Sequence, residues 1–521
     1  MRPLYLTRGT DYITLDKGDI SSLSTFLVFG GERTTKVQFN SYLFILAFLP
    51  IFLITYFVGN KINKKCGRWL IIIAGLIFYY FAGSESFKIF LISAVVNFIL
   101  ALILKRVHKG TKILLFITIA ANVGLLLYYK YVSFIIATTP SDPATATTST
   151  VVQDFVMPLG ISFFTFQQIM YVVGVYRGEI EKTNILDYAA YITYFPKLLM
   201  GPMVEPVDLL AQINNPELKK INFDNLAIGL KLFSFGLFKK LVLADTFTRG
   251  VEWGFSNIEA STAADMILTM LFYTFEIYFD FSGYTDMATG ISKMINIDLP
   301  INFDSPYKAT SIREFWKRWH ISLTKFFTKY VYFPLGGSKK GNIRTYVNIM
   351  IVFLVSGLWH GANFTFILWG AIHGFLQVME RLFDKYFKKL SETVRWIYTF
   401  AAVNVLWLLF RAESITQWHS ILYKILTFQS TAISDGMINS FILPETPLLF
   451  RLLYLTETDG IVRGFSLLLF TVTAFVICLI PENNYKSQGR RNVVNMIMAA
   501  AAFVWGFLCL SSESVFVYFN F

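Results

Sequence analysis

Charged side chains are scarce in this chain. Asp, Glu, Lys and Arg supply 15% of its 521 residues, where a soluble globular domain carries about 25%. That deficit excludes an ordinary cytosolic enzyme, and the 55% hydrophobic content excludes a disordered chain. Cysteine is nearly absent. Cys66, Cys478 and Cys509 are an odd, scattered set without metal-ligand spacing, so neither a disulfide framework nor a zinc site is readable. There is no Gly-x-x-x-x-Gly-Lys loop, no Gly-x-Ser-x-Gly elbow, no Cys–His pair and no His-Glu-x-x-His. ATP-driven transport, triad hydrolysis and zinc chemistry therefore lack their sequence support. The first 40 residues show no basic stretch followed by an apolar core, so no signal peptide is expected.

Apolar runs and aromatics take the place of charge. Mean hydropathy is +0.53. Phe (53), Tyr (27) and Trp (10) make up 17%, and such rings favour the membrane–water boundary. Ser41–Val58 is 18 residues without a charge, and similar runs start near Trp69, Phe87, Ile113, Phe155, Leu226, Ala264, Tyr346, Phe364, Val394, Phe465 and Val493. Span length then predicts an all-α polytopic membrane protein with roughly eleven to thirteen embedded helices. The net charge of +12 sits mostly between these runs. It reads as cytosolic loops rather than a nucleic-acid footprint. Lys61, Lys64, Lys65 and Arg68 follow the first span, and Lys105, Arg106, Lys109 and Lys112 follow the third. These loops are expected inside, with Ala137–Gln153 and everything before Ser41 outside. Residues 1–40 are polar, mixed in charge and aperiodic. They read as an extracytoplasmic tail ahead of a single membrane domain, 41–521. A start codon mis-assigned upstream of Val37 and a disordered outer tail are both open.

Between Tyr284 and Thr345 ten basic residues face four acidic ones, so this segment is expected at the cytosol. Within it Ile312, Phe315, Trp316, Trp319, Leu323, Phe326, Phe327 and Tyr330 recur at helical spacing, with Arg313, Lys317, Lys325 and Lys329 on the other face. The pattern predicts one amphipathic helix at the membrane surface. It is either a plain anchor or the mouth of an entrance that draws in an anionic cofactor. His320 falls at the edge of its polar face and by itself reads as a surface histidine.

Ionisable groups at membrane depth raise a functional question. Glu276 and Asp280, four apart on one helix face, either orient a substrate or pair with a cation from another helix. His360 lies in LVSGLWHGANFTFILWGAIHG, where Gly357, Gly361, Gly370 and Gly374 allow close helix approach. It is either a hydrogen-bonded core residue or a base for a hydroxyl proton. His108 and His419 receive no role.

The segments PLGISFFTFQQIMYVVGVYRG, YITYFPKLLMGPM, YFDFSGYTDMATGISKM, NFDSPYKATSIREFWKRWHISLTKFFTKYVYFPLGG and SGLWHGANFTFILWGAIHG run from Pro158 to Gly374. In their order and combination they resemble the membrane-bound O-acyltransferase (MBOAT) superfamily, in its alginate O-acetyltransferase-like bacterial branch. The resemblance implies a ring of helices around a central tunnel, with a catalytic core of about 155–380. It implies catalysis by His360 of Trp-His-Gly, with His320 of Arg-Trp-His-x-Ser-Leu as a second site residue. Glu276, Asp280, Asn363, Trp359, Trp316 and Arg313 become tunnel candidates, and His320, Asn363 or a backbone N–H would serve the oxyanion. No bound cofactor or metal is implied. The donor substrate would be acetyl-CoA or an acylated carrier, and the acceptor a polysaccharide. An extracytoplasmic SGNH-type protein would pass the acetyl group on, with loop Gln429–Thr458 as its dock.

The implied function is O-acetylation of an envelope or secreted polysaccharide across a bacterial plasma membrane, by a multi-pass protein among membrane lipids and without nucleic acid. D-alanyl transfer onto teichoic acid is the neighbouring alternative, and the YFDFSGYTDMA and NFDSPY wording favours acetyl. A transporter using Glu276 and Asp280 as an ion relay is a reading of another class. It leaves the Trp-His-Gly segment without a purpose, and no matching sequence halves are seen. A non-enzymatic scaffold is the fourth reading, under which His360→Ala is silent.

Overall fold

The computed structural model describes residues 7–8, 11–12, 37–107, 109–138, 157–428, 430–442, 460–487, 489, 492–511 and 516. The chain divides into two units, Met1–Lys36 and Val37–Phe521. In the first, β1 (Thr7–Arg8) and β2 (Asp11–Tyr12) pair antiparallel, Thr7 opposite Tyr12. The boundary falls at Val37, not Ser41, because the intervening residues are core. Val37 N–H donates to the Phe81 carbonyl at 3.2 Å, and Phe39 is buried with its ring stacked 4.9 Å from Tyr284.

The second unit is helical. After a π-helical turn, Phe44–Phe48, come α1 (Leu49–Ile62), α2 (Cys66–Ala82), α3 (Ser84–Arg106) and α4 (Thr111–Thr138). Next are α5 (Ile161–Tyr176), α6 (Ile185–Ile192), α7 (Phe195–Leu198) and α8 (Pro206–Asn214). The centre holds α9 (Phe223–Phe238), α10 (Asp245–Ser256), α11 (Ala263–Met294), α12 (Ile312–Arg318) and α13 (Ile321–Phe327). The last part is α14 (Gly341–His360), α15 (Phe364–Leu382), α16 (Glu392–Arg411), α17 (Ile415–Thr427), α18 (Gly460–Leu479) and α19 (Val493–Leu508).

Among the described residues, five helical stretches are long and apolar enough to cross a membrane: Phe44–Ile62, Ser84–Arg106, Thr111–Val132, Gly341–His360 and Glu392–Arg411. Cys66–Ala82, Ile161–Tyr176, Gly464–Leu479 and Val493–Leu508 are shorter apolar helices. The protein is an all-α polytopic membrane protein. Its longest helix, α11 with 32 residues, falls outside both groups although it is almost wholly buried. Glu276, Asp280 and Asp286 interrupt it.

Those carboxylates have partners. Lys239 and Lys240 open a π-helical segment, Lys239–Ala244, between α9 and α10. Lys240 sits 2.8 Å from Asp280 and 2.9 Å from Asp245. Lys239 is 2.7 Å from Asp286, which also accepts from Asn484 at 2.8 Å. Glu276 accepts from the Thr248 hydroxyl at 3.0 Å. Of the two readings for this pair, Asp280 follows the cation pairing and Glu276 takes a hydroxyl instead.

Two of the basic segments share one face. Arg68 pairs with Asp187 at 2.6 Å, and Lys219 donates to the Lys64 carbonyl. Asn296 donates to the Leu218 carbonyl at 2.8 Å. The Lys61–Arg68 loop and the basic central segment therefore lie on the same side, as the charge rule requires. In the expected outer loop, residues 139–153 lie outside the described residues, as does His108. Of Gln429–Thr458 only 430–442 is described, including a short helix, Asp435–Asn439.

The amphipathic stretch is not the single surface helix that its spacing predicts. It breaks at Trp319–His320 into α12 and α13, and His320 adopts a left-handed φ of 43°. That conformation costs a non-glycine residue about 1–2 kcal/mol, so the surroundings must hold it. Trp319 and His320 are both 1% exposed, which corrects the surface reading of His320. The α12 polar face is ordered locally. Burial pushes the Glu314 carboxyl up, but the Thr310 N–H and the Arg318 guanidinium more than offset it and hold it below its ordinary value.

Helices α14 and α15 touch through glycines, as their spacing predicts. A Cβ at Gly357 would lie 2.3 Å from the Phe366 carbonyl oxygen, and one at Gly370 2.4 Å from that of Phe353. Gly370→Val is expected to lower stability by about 1–3 kcal/mol through overpacking, read as an earlier thermal unfolding of the detergent-solubilised protein.

Candidate active site

His360 is the last residue of α14, where the helix leaves unpaired carbonyls. Lys130 of α4 meets them, donating to the Trp359 carbonyl at 2.5 Å and the His360 carbonyl at 3.0 Å. A buried ammonium at a helix C-terminus is electrostatically favoured, and here it fixes where His360 sits. The imidazole is 4% exposed and packs against Trp359, Trp369 and Phe410, with centroids 4.7, 5.2 and 5.0 Å away. Residues Lys130, Ser162, Phe163, Met200, Trp359 and His360 help to line a cavity of about 60 Å³.

Another wall of this cavity comes from the loop after α7, through Leu199 and Met200. Lys197 holds that loop. It is fully buried, donates to Gln167 Oε1 at 2.6 Å and lies 3.8 Å over the Tyr191 ring. Gln167 returns a bond to the Lys197 carbonyl at 3.1 Å.

His320 reaches the same neighbourhood from the break between α12 and α13. Its ring is 4.7 Å from Phe281 and 6.4 Å from both Phe163 and Trp359. Its Nδ1 is 3.1 Å from Asn302 Oδ1. Trp359 thus touches both histidines. A second cavity of about 270 Å³ is lined by Trp316, Thr324, Phe327, Ser356, Gln377 and Arg381, among others. It lies beside the basic segment that carries Tyr332 and Ser338. Phe327 of this cavity meets Trp359 of the smaller one at 6.4 Å, so an aromatic contact separates the two spaces.

The structure brings together His360, His320, Trp359 and, on the larger cavity, Trp316, whose indole N–H donates to His373 Nδ1 at 3.3 Å. The other tunnel candidates line neither cavity. Asn363 caps α15, accepting from Thr365 N–H at 3.0 Å, and donates to the Glu413 carbonyl at 2.8 Å. Its amide is committed to holding the α14–α15 turn. Arg313 is the second residue of α12, where its backbone N–H donates to the Glu380 carboxylate at 3.1 Å. Glu276 and Asp280 belong to the α11 network described above. Sequence reasoning passed over Lys130, Lys197, Asn302 and Ser322. The lysines had a signal, each standing alone in an apolar run, LLLYYKYV and TYFPKLLM. The asparagine and serine had none.

The sequence also compares with known proteins. The family model described as MBOAT, membrane-bound O-acyltransferase family, matches residues 76–416. A peptidoglycan O-acetyltransferase of Helicobacter pylori is 31% identical, aligned over 94% of this chain and 98% of its own. A probable alginate O-acetylase AlgI of Pseudomonas aeruginosa is 35% identical over 72% of each chain. A teichoic acid D-alanyltransferase of Bacillus subtilis is 28% identical over 47% of this chain and 65% of its own. A family match that spans both histidines and the helices holding them makes this protein an acyltransferase, a member of the membrane-bound O-acyltransferase family.

Proposed function

We propose that this protein transfers an acetyl group from a cytosolic thioester, acetyl-CoA or an acylated carrier, for O-acetylation of an envelope or secreted polysaccharide outside a bacterial plasma membrane. The observation that carries this reading is the pair of cavities on either side of the Trp359–Phe327 contact, with His360 on one and His320 touching the same indole. The larger cavity, beside the basic segment and with Arg381 on its wall, suits an anionic donor. The smaller one suits a two-carbon acyl group and an incoming hydroxyl. His360 takes the hydroxyl proton as the oxygen–carbon bond forms. The carbon–sulfur bond then breaks, the sulfur takes that proton from His360, and the free thiol leaves toward the cytosol with His360 neutral again. Excluding water protects the thioester meanwhile. An SGNH-type partner outside would carry the acetyl group to the glycan.

Charge favours acetyl over D-alanyl. A D-alanyl group carries an ammonium, which would need a carboxylate nearby. Neither cavity has Asp or Glu among its described lining residues, while Lys130 lines the smaller and Arg381 the larger. Ester-linked acetate on envelope polysaccharides of a deletion strain, complemented with the wild-type gene, tests the reading. Acetate is expected to vanish with the deletion and return with the gene. A fall in D-alanine ester alone would hand the function to the alternative, and no change in either ester would remove it.

A further inference from the structure

His320 and Asn302 form a pair whose hydrogen-bond logic has only one solution. Asn302 is 1% exposed. Its Oδ1 position receives Ser322 N–H at 3.2 Å and the Ser322 hydroxyl at 2.9 Å. A backbone N–H only donates, so the atom facing it is the amide oxygen and not the NH₂ group. The Ser322 hydroxyl is oriented in turn, because its oxygen accepts from Met203 N–H at 3.0 Å. His320 Nδ1 lies 3.1 Å from the same amide oxygen, which has no proton to give. Nδ1 must therefore carry the hydrogen. Burial, with no carboxylate partner among the described residues, pushes His320 well below its ordinary value, so the imidazole is neutral with one N–H, and Nε2 is left as a bare lone pair. Nε2 is buried without a hydrogen-bond partner among the described residues, on a ring whose centroid lies 6.4 Å from the indole that also packs against His360.

The geometry points to Asn302 as a positioning residue that locks His320 in the Nδ1–H tautomer, so that Nε2 meets an O–H or N–H of the bound substrate and cannot donate to an oxyanion. The second half of this statement rests on the acyl-transfer site proposed above, and the tautomer itself does not. The lock is braced from several directions. The Asn302 carbonyl accepts from Ile321 N–H at 3.0 Å, and Asp304 N–H donates to the Arg318 carbonyl at 2.9 Å, so the backbones on both sides of the pair are tied. Asn483 donates to the Phe303 carbonyl, and Lys486 pairs with Asp304 at 2.7 Å. A bond that fixes an imidazole tautomer is a recognised route by which a non-reacting residue controls a reacting one.

Full-length protein carrying ¹⁵N-histidine, reconstituted in lipid, tests this by solid-state NMR. The His320 signals are identified among the five histidines by their loss in His320→Asn, asparagine being tolerant of left-handed backbone. The expected spectrum shows a protonated Nδ1 and an unprotonated Nε2; a protonated Nε2 overturns the assignment. For turnover, Asn302→Leu is expected to lower kcat about 10- to 100-fold with KM little changed. Asn302→Asp, which keeps the accepting oxygen, is expected to restore most of the loss. Wild-type kcat in a folded Asn302→Leu protein also overturns the lock. If Asn302→Leu does not fold, the wild-type spectrum and the Asn302→Asp rate still decide. Wild-type protein without acyl transfer would remove the proposed function and leave the tautomer result standing.

Discussion

His360→Gln is expected to abolish polysaccharide acetylation while the protein accumulates in the membrane at its normal level. A positioned base contributes about 10²–10⁴-fold to rate, and a loss of that size leaves no ester acetate above background. Glutamine is the informative substitution. His360→Ala would remove a ring that fills the space between Trp359, Trp369 and Phe410, and such a cavity costs stability in its own right. Glutamine keeps most of the volume and a polar end but cannot cycle a proton. The Lys130 bonds go to backbone carbonyls and survive the change. Ester acetate is to be read against membrane protein level in the same cells. A normally accumulating His360→Gln protein with wild-type acetate would exclude His360 as the base.

Asp280→Ala is expected to act in the opposite manner, through stability. Asp280 is fully buried against Lys240, and removing one partner of a buried pair typically costs about 3–5 kcal/mol because the other charge is stranded. Asp245 still reaches Lys240, which places the expected cost at the lower end. Replacing all three members by Lys240→Met, Asp280→Leu and Asp245→Asn is expected to recover much of it, since a well-packed apolar set often matches a buried ion cluster. Thermal unfolding in detergent, followed by turnover per folded molecule, separates the cases. An ion relay would show the reverse pattern: normal unfolding temperature with function lost in Asp280→Asn and Glu276→Gln.

The membrane class and the shared side of the Lys61–Arg68 loop and the basic central segment were legible in the sequence because each rests on a summed property, apolar run length or the bias of lysine and arginine. His360 was legible as a candidate because a histidine at the end of an apolar helix among glycines is chemically conspicuous. His320 was misplaced for an identifiable reason. The residues around it keep helical spacing from Ile312 to Tyr330, and no glycine or proline marks the break; the left-handed turn is imposed by Asn302, whose carbonyl takes Ile321 N–H. Periodicity cannot register a hydrogen bond from another segment. Asn363 misled in the opposite direction. The family resemblance made it a tunnel and oxyanion candidate, yet a helix cap next to a tight turn uses the same residue type. Lys130 is 230 residues from its partner His360, and no local pattern joins them.

The segment around Pro481–Ser487 braces the stretch that carries Asn302 through Asn483 and Lys486, is tied to Asp286 of α11 through Asn484, and is held in turn by Lys231 through the Ser487 carbonyl. Ribosomes make this brace late, after both histidines have been inserted. A nascent chain therefore has His320 and His360 well before it has the brace behind Asn302. Under the proposed function, competence for acyl transfer then arrives only when nearly the whole chain has been translated.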